Sequence, residues 1–582
     1  MTAGGLRPHP VSRRLPRPTW LEWVLLAVGV VLTVQYAWLM DDAFVYFRYA
    51  DNFLWAGRGL VYNAGEYVEG YSSPLWMLLL VAMRAIGLDW WLVVRLAGVA
   101  AFAVFWALLV VVARLGSPAG VVRINLPLLL LAPNYAVLCY FTSGLEAPLV
   151  QIAAAVFALA VLRPASPAAQ IAAGWAPLVR HELALPLVLL ALWCWWRNRR
   201  LPLPLLLGAL SSTGAWLLFR VWYYADLLPN TFYLKDDWMP AQGLVYLADT
   251  AGPYGLVPVL GAALLAFVLL RFRDGRHSSG GIPRLLLAER AMMLLLAALV
   301  AAYVVKIGGD PRHYRYLAFP FCLAILATVG LVEHLQLRWS RRVPGWAFGI
   351  AAVVSLLIVG SRYPRQLDRH PLLGPAPQQP LTLEDRSGPE EIPFHLTVGM
   401  INDAAVHRHH PELEHDPWAG AAAADLKDAY RRAGMEPVDR PYDDIVIHHW
   451  CFTMYAEPDS RMINKFGLTD AFLGRTRMIA VRPAHKYGLK PFADDIERVL
   501  RAVDNRPHRG MFRRVVEGGD GKAWMRDNLD SIETIERKVY NRHDLGENLR
   551  LALAFPKPIE PPVKARGGAV AVSPPLPAAP PP

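Results

Sequence analysis

The chain has 582 residues, 54% hydrophobic and only 18% charged, with a formal net charge of +11 and a mean hydropathy of +0.27. Ordinary soluble proteins carry about a quarter charged residues, so this composition, with 20 Trp and long apolar runs, excludes a simple soluble enzyme and a disordered chain. The basic residues sit in short clusters between apolar segments; that is the pattern of the positive-inside rule, and no motif points to a nucleic-acid partner.

Residues 1–19 form a basic N-terminus with Arg7, Arg13, Arg14 and Arg17. The apolar segment 20–40 follows, and about 20 apolar residues span a bilayer. Asp41 and Asp42 come next, and they are not a small-residue cleavage site. The segment is therefore expected to be a retained first helix with its N-terminus in the cytoplasm. Further apolar segments cover 74–88, 90–113, 124–141, 147–162, 168–179, 183–196, 203–222, 253–271, 289–306, 314–336 and 344–360. The basic connections are Arg114 to Arg123, Arg163, Arg197 to Arg200, Arg271 to Arg276 and Arg338 to Arg342. They are expected to be cytoplasmic. The connections at 41–76, 142–146, 180–182, 223–252 and 307–313 then fall outside. A full crossing by 74–88 would break this alternation. That segment is short and contains Arg84, so it is read as re-entrant or interfacial. The expected fold class is an α-helical polytopic membrane protein of about 11 spans over residues 20–360.

Beyond residue 360 the composition turns polar. Residues 361–555 are expected to form an α+β extracytoplasmic domain, with strands near 444–448 and 477–481 and helices near 420–433 and 492–504. The Pro- and Ala-rich tail 556–582 is expected to be disordered. Cys139, Cys194 and Cys322 lie in apolar runs and read as small buried residues. The histidines at 407–410 and 448–449 have no third ligand at metal spacing. No phosphate-binding loop, dinucleotide fingerprint or nucleophile elbow is present, which argues against nucleotide-driven chemistry on the cytoplasmic side.

Each external connection carries a polar cluster. The first holds Asp41 and Asp42 at the end of the first span, then Arg48, Glu66, Glu69 and Tyr71. Acids at a membrane edge usually face a cavity, and neighbouring carboxylates raise one another's pKa, which suits a general base. The second is Thr142-Ser143-Gly144-Leu145-Glu146, which also reads as a helix-capping start. The third, Arg180-His181-Glu182, is flanked by apolar residues, and an internal Arg–Glu pair would also account for it. The fourth runs from Tyr223 to Lys235 and includes Asn230; the fifth runs from Gly308 to Tyr316 and includes Asp310, Arg312, His313 and Arg315. Lys235, Arg312, His313 and Arg315 together suit a phosphate near the membrane surface.

The first loop, with DDAFVYFRYADN and GRGLVYNAGEYVEGYSSPLW, resembles the bacterial GT-C glycosyltransferases that use a polyprenyl-phosphate sugar. TSGLE at 142–146, LVRHE at 178–182, LLPNTFYLK at 227–235, GGDPRHYRYLAFP at 308–320 and FGLTDAFLGRT at 466–476 follow in the same order. Within that fold the chain is most similar to the terminal β-(1→2)-arabinofuranosyltransferase family of cell-wall arabinan. The resemblance implies that Asp41 or Asp42 is the general base of an inverting transfer on the outer face of the cytoplasmic membrane. It implies a polyprenyl-phosphate sugar donor, a glycan or glycolipid acceptor, and donor phosphate held by Lys235, Arg312, His313 and Arg315. Glu66, Glu69, Glu146 and Arg180 become candidate sugar contacts, with Arg48, Tyr71, His181, Glu182, Asn230 and Asp310 in the same substrate site. Pro311 and Tyr314 depart from the more apolar stretch expected there. A mannosyl- or aminoarabinosyl-type transferase, a transporter or flippase, and a glycan-binding scaffold remain alternatives. A transporter is expected to show internal repeats and charges at the midplane; here the charges collect at one face.

No cofactor is expected. Adjacent carboxylates also suit Mg²⁺ or Mn²⁺, so a divalent metal stays open. Transfer activity is expected to persist in chelator. Loss of activity that a single divalent ion restores would overturn this.

Overall fold

A computed structural model of the chain describes residues 17–40, 42–117, 125–235, 238, 240–251, 284–310, 314–329, 444–447, 461–464, 468–475 and 526–558. Asp41, Arg312, His313, the apolar segments 253–271 and 344–360, and the histidines at 407–410 and 448–449 lie outside the described residues. So do the expected elements at 420–433, 477–481 and 492–504 and the tail from 559 onward. The described part is mainly helical. Val24, Val31, Leu192, Leu207, Leu218 and Leu295 are exposed on helices whose other faces are buried, the pattern of a protein solvated by lipid. Among the described residues three helices, Trp90–Gly116, Leu203–Tyr224 and Ala288–Lys306, are long and apolar enough to cross a bilayer.

Helix α1 (Trp20–Gln35) opens on a capping box formed by Thr19 and Glu22. Helices α2 (Ala43–Leu54) and α3 (Pro74–Arg84) pack side by side at its far end. Arg84 Nε returns to Asp51 Oδ1 of α2 at 3.0 Å, so α3 ends beside α2 instead of reaching the opposite end of the bundle. Helix α4 (Trp90–Gly116) starts there, capped by Asp89, and runs the full length back to α1, where Arg114 meets Glu22 at 2.5 Å.

The apolar segment 124–141 is not one continuous helix. It is α5 (Leu126–Leu131) and α6 (Tyr135–Leu138). Pro133 between them has no N–H and disfavours helix at the residue before it. Asn134 restarts the chain by accepting from Ala136 N at 3.0 Å. After α7 (Ala147–Leu162), the segment 168–179 is likewise divided into α8 (Pro167–Gly174) and α9 (Ala176–Val179), with Pro177 opening the second piece. Helix α10 (Ala184–Asn198) follows a single 3₁₀ turn at His181–Leu183. Helix α11 (Leu203–Ala209) passes through a π turn into α12 (Ala215–Tyr224). At that turn Ser212 Oγ donates to Gly208 O at 2.7 Å, the kind of inserted side-chain bond that bends a helix. Helices α13 (Asn230–Lys235) and α14 (Pro240–Ala251) precede the long helix Arg284–Lys306 and the short one Ala318–Leu326. Every residue of Ala318–Leu326 is buried, and Phe319 meets Phe157 of α7 edge to face at 5.2 Å.

Polar contacts gather at two ends of the bundle. At one end Glu22, Arg114 and Asn125 bond together, and Arg290 Nη2 donates to Gly116 O at 2.9 Å. At the other end Met40 N donates to Ser143 O at 2.9 Å, and Asn230 N donates to Glu69 O at 2.9 Å. The C-terminal segments pack at this second end: Tyr67 N donates to Val539 O at 2.8 Å, and Asn548 Nδ2 donates to Trp222 O at 2.6 Å. In the polar half, Asp444–Ile447 pairs in parallel with Arg461–Asn464. Cys139, Cys194 and Cys322 are buried and form no disulfide among the described residues.

Glycines let α8 and α11 approach closely. A Cβ on Gly208 would lie 2.5 Å from Ile171 O, and one on Gly174 would lie 2.6 Å from Leu205 O. Both obstacles are backbone, so α8 and α11 must part if either gains a side chain. Gly208→Leu is expected to cost about 1–3 kcal/mol, the usual penalty of overpacking. A lowered melting temperature of the detergent-purified protein checks this; an unchanged one would mean that the helices separate without loss.

Candidate active site

Helix α2 sets the geometry. Asp42 and Tyr46 are one turn apart and share a face. Asp42 stands at the N-cap of α2, yet its side chain makes no cap hydrogen bond. Instead its Oδ2 accepts from Arg315 Nη1 at 2.7 Å. Tyr46 Oη lies 3.5 Å from Glu146 Oε2. Glu146 also begins a helix without capping it; its Oε1 accepts from Arg180 Nη1 at 2.8 Å and sits 3.7 Å from Arg315 Nη2. The capping account of 142–146 is therefore not the one observed. Arg180 Nε pairs with Glu182 as well, His181 Nδ1 stands 3.6 Å from Glu182 Oε2, and Asp310 Oδ2 is 3.9 Å from Arg315 Nη1.

Four connections thus converge on one buried network. Asp42, Glu146, Glu182 and Asp310 supply four carboxylates, and Arg180 and Arg315 supply two guanidiniums. The Tyr316 ring lies under both guanidiniums, at 4.4 Å from Arg180 and 5.6 Å from Arg315. Burial disfavours the charged form of Glu182, but Arg180 and His181 outweigh it and hold the carboxyl below its ordinary value. With all groups ionised the network has two more negative than positive charges, an environment that favours developing positive charge. Among the described residues no group of three or more His, Cys, Asp or Glu is arranged to hold a metal ion.

The remaining sequence candidates form a second network. Arg48 Nε donates to Tyr62 O at 2.8 Å, and Asn52 donates to Val61 O and Tyr62 O, so α2 pins the first loop. Glu66 accepts from Asn63 Nδ2 at 2.9 Å and from Tyr540 Oη at 3.1 Å. Glu69 pairs with Arg220 and accepts from Trp216 Nε1 at 3.0 Å. Asn230 Nδ2 donates to Leu468 O and Asp470 O, and its Oδ1 accepts from Arg475 at 3.0 Å. Tyr71 touches both networks: its ring packs 5.9 Å from Tyr46, and its hydroxyl is 3.0 Å from Tyr224 Oη. Helix α13 ends at Lys235, whose side chain lies outside the described residues with Asp41, Arg312 and His313.

Sequence reasoning missed Arg220, Asp226 and Lys538. Asp226 accepts from Lys538 Nζ at 2.9 Å and pairs with Arg475. Burial pushes the Lys538 ammonium below its ordinary value, although Asp226 pulls the other way. A charged residue inside an apolar span was the available signal for Arg220. Lys538 carried none, because its partner is 312 positions away.

Arg180 is the only described partner within hydrogen-bond distance of both Glu146 and Glu182. Arg180→Met is expected to destabilise by about 3–5 kcal/mol, the cost of leaving buried charge uncompensated. The pH dependence has a definite sign. The folded carboxyl of Glu182 is depressed, so its contribution is complete above pH 4.5, its ordinary value, and is lost as pH falls through the lower folded value. Glu182→Gln is expected to flatten the acid fall in melting temperature; an identical acid slope in wild type and variant would refute this.

No family model matches the chain, and no solved structure matches it. Two curated relatives do. One, from Corynebacterium glutamicum, is named terminal β-(1→2)-arabinofuranosyltransferase and is 29% identical over 353 residues, 51% of this chain and 48% of its own length. The other, from Mycobacterium tuberculosis, bears the same name and is 31% identical over 393 residues, 59% of this chain and 60% of its own length. The chain therefore spans between about half and three-fifths of the curated relatives it matches. These matches relate the chain to the terminal β-(1→2)-arabinofuranosyltransferases.

Proposed function

We propose that the protein is an inverting glycosyltransferase that moves a sugar, arabinofuranose by its relatives' name, from a polyprenyl-phosphate donor to a cell-envelope glycan. The reaction runs on the outer face of the cytoplasmic membrane. One observation carries the reading: the buried network joining Asp42, Glu146, Arg180, Glu182, Asp310 and Arg315 at the end of the bundle where the external connections meet. Buried charge in a membrane protein marks a functional site by default, and the relatives supply the reaction class.

In this reading an acceptor hydroxyl lies beside the carboxylate of Asp41 or Asp42. The carboxylate takes the hydroxyl proton as the oxygen forms its bond to the anomeric carbon. The bond from that carbon to the phosphate oxygen breaks, and its electron pair leaves with polyprenyl phosphate. Attack from the opposite side inverts the anomeric centre. Arg315 holds the phosphate, with Lys235, Arg312 and His313 as its expected companions. Glu146, Glu182 and Asp310 supply the negative field that favours positive charge on the sugar ring. Phosphate is a fair leaving group, so positioning and deprotonation supply most of the acceleration. Glu66, Glu69, Arg48 and Asn230 brace the external loops, and His181 lines the sugar site with Tyr71 packed behind it against Tyr46. The alternative donors are sugars of the mannosyl or aminoarabinosyl type.

The test is transfer from a panel of radiolabelled polyprenyl-phosphate sugars in membranes, wild type beside Asp41→Ala and Asp42→Ala. One donor is expected to be used, and at least one substitution is expected to lower its turnover by about 10²-fold or more, the usual contribution of a general base. No transfer from any donor by folded protein would sink the reading in favour of a transporter or scaffold.

A further inference from the structure

Of the three carboxylates around Arg315, only Asp42 lies within hydrogen-bond distance: 2.7 Å, against 3.7 Å for Glu146 and 3.9 Å for Asp310. It is also the least buried. The Asp42 side chain is 17% exposed, whereas those of Arg315, Glu146 and Asp310 are 5%, 1% and 2% exposed. Asp42 therefore covers the guanidinium from the solvent side. Arg315 Nε is buried and has no hydrogen-bond partner among the described residues, so the guanidinium has further donor capacity.

This arrangement poses a problem for the reaction proposed above. A carboxylate held by a guanidinium is a weaker base than a free one, and an arginine held by a carboxylate is not free for phosphate. Both groups are engaged on each other. We infer that Asp42 latches Arg315 in the resting protein, and that the donor phosphate takes its place on the guanidinium and thereby releases the carboxylate to accept the acceptor's proton. The inference rests on the lipid-phosphate reading and deepens it: binding of the correct donor unmasks the base.

The surroundings suit such an exchange. Asp42 makes no cap bond to α2, so turning it away breaks no cap of that helix. At the start of a helix its charge remains favoured by the helix dipole. Glu146 cannot yield as easily, because Arg180 holds it at 2.8 Å. Glu146 and Asp310 stay close enough to neutralise Arg315 throughout. A phosphodiester carries the same single negative charge as the carboxylate and can accept from a guanidinium in its place, so the swap is close to balanced in charge. Once phosphate has arrived, Asp42 faces more negative charge than before, which favours proton uptake.

The experiment measures binding of farnesyl phosphate, a short polyprenyl phosphate, to detergent-purified full-length protein by titration calorimetry. Wild type is compared with Asp42→Asn, Asp310→Asn and Arg315→Gln. Asp42 and Asp310 approach the same Nη1 of Arg315 at different distances, so Asp310→Asn controls for loss of a nearby charge without loss of the hydrogen bond to Arg315. A latch predicts that Asp42→Asn tightens binding about tenfold while Asp310→Asn changes it less than about threefold. Arg315→Gln is expected to weaken binding. Equal gains in the two Asn variants, or no gain in Asp42→Asn, would overturn the latch. Asp42→Ser also removes the carboxylate and keeps a favourable N-cap, so it gives the same comparison if Asp42→Asn fails to fold. Inorganic phosphate is titrated in parallel. The same pattern with inorganic phosphate supports the latch with the phosphate group alone as ligand, and the pattern with farnesyl phosphate only supports it with the lipid required. Donor transfer by wild type with no latch pattern sinks the latch and leaves the glycosyltransferase standing. Wild type that neither binds farnesyl phosphate nor transfers sugar sinks both.

Discussion

Burying charge in a protein surrounded by lipid is possible only if each charge finds its partner, and Arg315 shows how strongly that requirement shapes this molecule. Its guanidinium lies among Asp42, Glu146 and Asp310, which come from three distant parts of the chain. Removing those segments' carboxylates together, with no anion in their place, would strand a buried ion at a cost of several kcal/mol. The first loop, the start of α7 and the turn before Ala318–Leu326 are therefore held in a common register. Arg180 extends the same constraint to the 180–182 connection through Glu146 and Glu182.

A second constraint works beside it. The first loop is held from below by α2, through Arg48, Tyr49 and Asn52, and from above by the C-terminal segments, through Tyr540 and Val539. Asp226 sits at the junction, with Arg475 and Lys538 arriving from two separate C-terminal stretches. Polar residues at this end thus divide by role. Glu66, Glu69 and Asn230 bind protein and fix the loops, while Asp42, Glu146 and Asp310 surround a guanidinium. The division matters for chemistry, because a reacting group must be held within a fraction of an ångström by neighbours that do not themselves react.

Much of the plan was legible in the sequence. Basic clusters separated the connections into two expected sets, and the structure joins two of one set, 41–76 and 223–252, through Asn230 N and Glu69 O. Arg84 marked α3 as a segment that does not run the length of the bundle, and it returns to Asp51. The clusters at Asp42, Glu146, Arg180 and Arg315 were visible as charge where apolar residues were expected. The breaks in 124–141 and 168–179 were less visible, since hydropathy averages over the single prolines that cause them. The separate tasks of Glu66 and Glu146 were not visible at all. Both are acids in external connections, and only their partners, Tyr540 in one case and Arg180 in the other, tell them apart.

Composition, charge parity and the order of short polar motifs pointed to a helical chain with bilayer-length apolar segments and polar clusters in its connections, and they pointed to its relatives. Those are local properties, since a run of apolar residues or a basic cluster meets lipid or water wherever the chain later folds. Tertiary structure alone decided which acid faces which base. Asp42 and Arg315 are 273 residues apart, and Asp226 and Lys538 are 312 apart. No local pattern encodes a pairing of that kind, because its energy exists only after the helices have packed and the water between the charges has left.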